Sequence, residues 1–231
     1  VADRQQPWHV NDLDHQITEE TTVIAGLSWG YNAPGCVVWA RILPNYRVYL
    51  QADCKFQRLA VEDICVDLKN RATSLGLPRS SGNYADPSLF ADVDPEDGVE
   101  VEPIADGFAR HGFPLLPAHG DVRHGFSRMH DYARAAPDGA PWMVVSPRCT
   151  TVIRTLPTLT QSKTDREVLE GEHAYAANAI RALLSSRPAP SAPLMTATYA
   201  PGTYGWLRQQ MNDIDKQSGQ APGFHMRRIY G

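Results

Sequence analysis

The stretch GLSWGYNAP, Gly26 to Pro34, closes the apolar run TTVIAGL. A buried strand running into a glycine-bearing turn is where enzymes that need a carboxylate near a metal often place one, since hard oxygen ligands must project from a rigid element. The side chain in that place is the hydroxyl of Ser28. An acid does end a later run, NYADP, where Asp86 precedes Pro87; an Asp-Pro step also starts turns, so Asp86 has two readings, ligand and turn former. Other chemistries lack their spacing. Ser28 lies outside any G-x-S-x-G turn, and no histidine is tied to it by sequence, which argues against a serine hydrolase. His119, His124 and His130 do not form an H-E-x-x-H site. Cys36, Cys54, Cys65 and Cys149 are unevenly spaced with no C-x-x-C pair, so reduced thiols of a cytoplasmic protein are the simplest expectation.

The elements that must position these residues follow from hydrophobic period. TVIAGLSW, CVVWARIL and RVYLQADC are β-branched and apolar, and the short turn between the last two predicts three successive antiparallel strands. Trp29, Trp39 and Trp142 fall on strand patterns and are expected in the core. From Arg58 to Leu75 the apolar residues recur at three- and four-residue steps, with Gly76 as a stop. A short strand ending at Asp86, a helix over 104–111, a strand at FPLLPA, a helix over 127–136, a strand at PWMVVS and a short helix over 151–156 follow. Thr164 to Glu167 spells a capping box, and 172–186 reads as the closing helix. RPAPSAP breaks the composition as a linker. Beyond it Leu207, Met211 and Ile214 form a one-sided helical stripe.

With 231 residues, 42% of them hydrophobic, the chain can bury one substantial core. The expected division is a connector over 1–21, an α/β domain over 22–187, and a linker and tail over 188–231. No apolar run reaches membrane-spanning length, and no charged-then-apolar leader opens the chain. Charge is asymmetric: residues 1–106 carry 8 Lys and Arg against 17 Asp and Glu, and residues 107–231 carry 14 against 9. A polyanion touching the second half through Arg123, Arg128, Arg148, Arg154, Lys163 and Arg166 is one account, and solvated surface charge is another.

Three hairpin strands followed by alternating helices and strands resemble the ribonuclease H-like fold: an α/β architecture with a mixed central sheet flanked by helices. Five segments sharpen this. GLSWGYNAP, NYADPSLFA, IADGFARHGFPLLPAHGDVRHGFSRMHDY, WMVVSPRCTTVIRTLPTL and AANAIRALLSSRP resemble, in that order, the nuclease domain of the large terminase subunit of tailed bacteriophages. The resemblance implies metal-dependent cutting of concatemeric double-stranded DNA during genome packaging, with Mg²⁺ or Mn²⁺ as cofactor, in the host cell cytoplasm. It also implies an upstream ATPase domain, a portal and a small terminase subunit as partners, and no membrane. No G-x-x-x-x-G-K-[ST] loop is present for the ATPase itself.

That chemistry needs two cations about 3.5 to 4 Å apart, held by several converging carboxylates. In the family these come from a pattern like GxDWGYxDP, from an ADP motif and from a closing helix like AADALRYLL. Here the ADP acid is Asp86, but the first-strand acids fall on Ser28 and Ala33 and the helix acid on Asn178, a neutral amide. Glu172, beside His173, would have to reach from a frayed first turn, since six residues at 100° each place it roughly 120° away from Asn178 around the helix. Asp121 and His124 lie in a segment the family uses beside the DNA path; solvated loop residues explain them equally well. The resemblance thus nominates Asp86, Ser28, Asn178 and Glu172 as catalytic positions, with Asp86, Asn178 and Glu172 for metal. Arg123, His124, Arg128, Arg154 and Lys163 are nominated for DNA. Two outcomes follow: a working nuclease with a depleted, shifted site that draws on Asp86, Glu172 and an acid such as Asp53, or a nuclease fold that has lost its metals and contacts DNA or serves the motor structurally. A resolvase or transposase relative would need the same clustered acids.

Overall fold

The computed structural model describes residues 9–19, 21–91, 102–164, 169–170 and 173–190. The chain divides at Pro190, and the second unit, with the Leu207, Met211 and Ile214 stripe, lies outside the described residues.

β1 (Thr22–Ser28), β2 (Gly35–Ile42) and β3 (Val48–Phe56) form an antiparallel meander. Helix α1 (Val61–Ser74) crosses to β4 (Asn83–Ala85), which returns parallel to β1. α2 (Ile104–Arg110) leads to β5 (Leu116–Pro117), and α3 (Val122–Ala133) to β6 (Met143–Val145). The sheet order is β5-β4-β1-β2-β3-β6, with β5 and β6 each parallel to its neighbour. α4 (Thr150–Thr155), the two-residue strands β7 (Thr160–Gln161) and β8 (Leu169–Glu170), and α5 (Tyr175–Ser185) complete the described residues. The mixed α/β sheet expected from the sequence is therefore present.

Side chains alternate across each strand, so the sheet is apolar on both faces. Ile24, Val38 and Leu50 face Phe126 of α3 and Ile180 and Leu183 of α5. Val23, Ala25, Leu27, Val37 and Trp39 face Ile64 and Leu68 of α1 and Phe108 of α2. Trp39 and Trp142 are buried, while Trp29 is half-buried with its ring edge-on to Phe108 at 5.7 Å.

Three expectations change. The segment read as a connector is attached to the sheet from His9 on: Val145 N–H donates to His9 O at 2.7 Å, Asn11 N–H to Val145 O at 3.0 Å, and Leu13 packs on Tyr49 and Val144. This backbone pairing covers the open edge of β6, which would otherwise offer unpaired groups. α3 begins five residues before the expected start because the Asp121 carboxylate accepts the His124 N–H at 2.7 Å and caps the helix there. The Thr164 hydroxyl and N–H lie within hydrogen-bonding distance of Ser162 Oγ, the remainder of the capping-box pattern, 165–167, lies outside the described residues, and α5 starts at Tyr175, three residues after the expected start. Glu167 and Glu172 lie outside the described residues.

Candidate active site

β1 and β4 run parallel in the register Gly26↔Tyr84 and Leu27↔Ala85, so Ser28 ends one strand beside the place where Asp86 leaves the other. Strand alternation turns both toward the α5 side, because Ile24 and Tyr84 lie on that side while Leu27 and Ala85 lie on the opposite one. Gly26 lets α5 come down onto β1. A Cβ at Gly26 would stand 2.0 Å from Ala179 O and 2.8 Å from Leu183 Cβ. α5 is buried nearly all round, and of its residues Tyr175 to Ser185 Asn178 alone is not buried. The structure thus gathers Ser28, Asp86 and the Asn178 turn of α5 at one end of the sheet, while Ala33 is exposed in the loop beyond.

Asp86 is already engaged. Its Oδ1 accepts the Ser88 N–H at 3.1 Å, capping the 3-10 turn Pro87–Phe90, and its Oδ2 accepts from Arg181 Nη2 at 2.6 Å. Burial works against the anion, but the Arg181 and Ser88 hydrogen bonds outweigh it and hold the carboxyl below the usual range. Turn former and ion-pair partner are thus both true of Asp86. Arg181 is 5% exposed. Its stem lies where a Cβ on Gly125 would be, 2.4 Å from Arg181 Cγ, and its guanidinium carbon is 5.9 Å from the centre of the Phe126 ring. Its Nε is buried without a hydrogen-bond partner.

Arg181 is not among the residues the resemblance nominates, yet it is the one charged residue in AANAIRALL, three positions after Asn178 and so on the same helix face. Neither is Lys55. It sits in the cross-strand row Ser28↔Cys36↔Lys55, with its Nζ 5.5 Å from the centre of the Tyr175 ring, and His173 stands edge-on to the same ring.

Asp53 is not available as a substitute acid. It is buried under α4, where its Oδ2 accepts the Val152 N–H at 2.9 Å, and burial pushes its carboxyl up against that bond. The thiols of Cys36 and Cys149 are buried and pushed far above the ordinary range. Among the described residues no group of three His, Cys, Asp or Glu side chains gathers to hold a metal. The donor set is one carboxylate with both oxygens in use, one hydroxyl and one amide, which does not fit a pair of divalent cations.

Of the residues nominated for DNA, Arg123, His124 and Arg128 lie on α3, Arg154 on α4 and Lys163 in the turn after β7. Arg123, Arg154 and Lys163 are exposed. Arg128 is mostly covered, with its Nη1 3.7 Å from Asp131, and Arg148 pairs with Asp14 at 2.8 Å. Arg166 lies outside the described residues. No helix among the described residues is long and apolar enough to cross a membrane.

Solved structures share this architecture. The large terminase of a thermophilic bacteriophage, in complex with ADP, matches with a TM-score of 0.58 at 12% identity. The P22 large terminase nuclease domain matches with a TM-score of 0.54 at 16% identity, over 71% of this chain and 80% of its own. The fold is that of a large-terminase nuclease domain. The g2p large-terminase nuclease domain of bacteriophage SPP1, solved with bound Mn, adds a TM-score of 0.50 at 17% identity, over 70% of this chain and 84% of its own. The match to the thermophilic phage terminase covers 80% of this chain but 43% of that protein, so the chain spans about two fifths of its length. No family model matches the chain, and no curated protein matches it. Identities of 12 to 17% carry the ribonuclease H-like terminase fold and leave the site to its own residues.

Proposed function

We propose that this chain is the nuclease-fold domain of a viral genome-packaging terminase large subunit, that it engages double-stranded DNA, and that it holds the DNA rather than cutting it. The observation that carries this reading is the Asp86–Arg181 ion pair, because the one carboxylate among the four expected acid positions already has its counter-charge. Metal-dependent phosphodiester hydrolysis of concatemeric DNA, the other reading, draws support from the Mn bound in the SPP1 domain and from the partly exposed, ionised Asp86. It requires acids that Ser28, Ala33 and Asn178 do not supply. In the motor, the reading places an ATPase domain, a portal and a small terminase subunit as partners.

The test combines plasmid cleavage in Mg²⁺ or Mn²⁺ with duplex binding by fluorescence anisotropy, for the wild-type chain and Asp86→Ala. We expect binding by both and cleavage by neither. Cleavage by the wild-type chain that Asp86→Ala abolishes would establish the cutting reading instead.

A further inference from the structure

We infer that Arg181 is a resident cation that takes the place of a divalent metal at Asp86, so that replacing the missing acids alone does not create a metal site. The inference rests on the reading above only in taking Ser28 and Asn178 as the vacant acid positions. Three observations carry it. Both Asp86 oxygens are occupied, one by Ser88 N–H and the other by Arg181 Nη2. A guanidinium stays charged at any working pH and cannot yield its place by losing a proton. Arg181 also has little room to swing away, since its side chain is 6% exposed, its stem fills the space left by Gly125, and the Phe126 ring lies beside its head. A divalent cation reaching the same carboxylate would meet this fixed positive charge in a partly desolvated setting, where like charges repel strongly. Acids introduced at positions 28 and 178 would meet the same guanidinium and become its partners in turn.

The test is calorimetric titration with Mn²⁺, without DNA, on the wild-type chain, Ser28→Asp/Asn178→Asp, and the same pair with Arg181→Met, each checked for folding by its melting curve. We expect weak binding by the first two and affinity on the order of 100-fold higher in the third, the scale of losing one opposing charge. Mn²⁺ should also raise the melting temperature of the third variant alone. If the two-acid variant binds as tightly as the three-site variant, or the folded three-site variant binds no better, Arg181 does not exclude the metal and the inference is overturned. Should Arg181→Met not fold, Arg181→Gln replaces it, keeping a polar side chain without the charge. Tight binding by the two-acid variant is by itself decisive against the inference. Duplex binding is measured separately, so a failure here leaves the DNA-holding reading standing, and the reverse.

Discussion

Asp53 lies on β3 and Asp86 follows β4, two strands of one sheet with β1 and β2 between them, and their surroundings give them opposite roles. Asp86 leaves a strand end, is one-third exposed, and meets a guanidinium that favours its charge. Asp53 is 4% exposed and meets the N-terminal turn of α4, whose N–H groups only partly offset its loss of water. Removing the Asp53 carboxylate leaves the Val152 N–H buried without its acceptor, so Asp53→Ala should cost about 1 to 3 kcal/mol in a urea titration. The sign of its pH dependence follows from the raised pKa. The folded state holds the Asp53 proton to higher pH than the unfolded chain, so this ionisation removes stability as pH climbs from the ordinary value of 3.8 through the folded pKa. The penalty of Asp53→Ala should therefore be larger at pH 4.5 than at pH 7; a penalty that shrinks on acidification contradicts this account. Residue types alone made Asp53 a possible ligand, because a sequence does not say which helix start will lie over a given strand.

At the scale of elements, the site depends on how closely α5 approaches β1. Gly26 permits that approach, and its obstacle is the backbone carbonyl of Ala179, which cannot rotate out of the way as a side chain could. Gly26→Ala should therefore destabilise the domain by about 1 to 3 kcal/mol or more. It should also move the turn bearing Asn178 away from Ser28. Thermal unfolding checks the first effect, and the unaltered melting temperature of a Gly26→Ala chain would show that the helix is not held by this contact. The same close packing explains what was legible along the chain. The apolar period of α1 and the β-branched runs of β1 to β3 are long enough to be read directly, whereas β7 and β8 are two residues each and are defined only by pairing with one another. A capping-box pattern at Thr164 is a local signal, and the hydroxyl of that residue lies within hydrogen-bonding distance of Ser162 Oγ.

At the scale of the whole molecule, the described residues include exposed cations on separate segments, among them Lys55 on β3, Arg154 on α4 and Lys163 after β7. If these side chains meet DNA phosphates, binding should weaken with salt and be indifferent to base sequence. Arg154→Ala and Lys163→Ala should each lower affinity by a similar factor on unrelated duplexes and reduce the slope of log affinity against log salt by about 1. An unchanged slope in both variants would place the DNA path elsewhere on the domain. The sequence by itself determined the order of the main elements, the terminase-like succession of segments and the uncharged side chains at Ser28, Ala33 and Asn178, where the resemblance expects acids, since these are matters of residue type and period. Only the tertiary structure decided that Asp86 is paired with Arg181, that Asp53 serves as a helix cap, and that residues 9–13 complete a sheet edge. Each of these contacts joins residues about 95 to 135 positions apart, a separation that no local pattern encodes and that packing across the sheet closes.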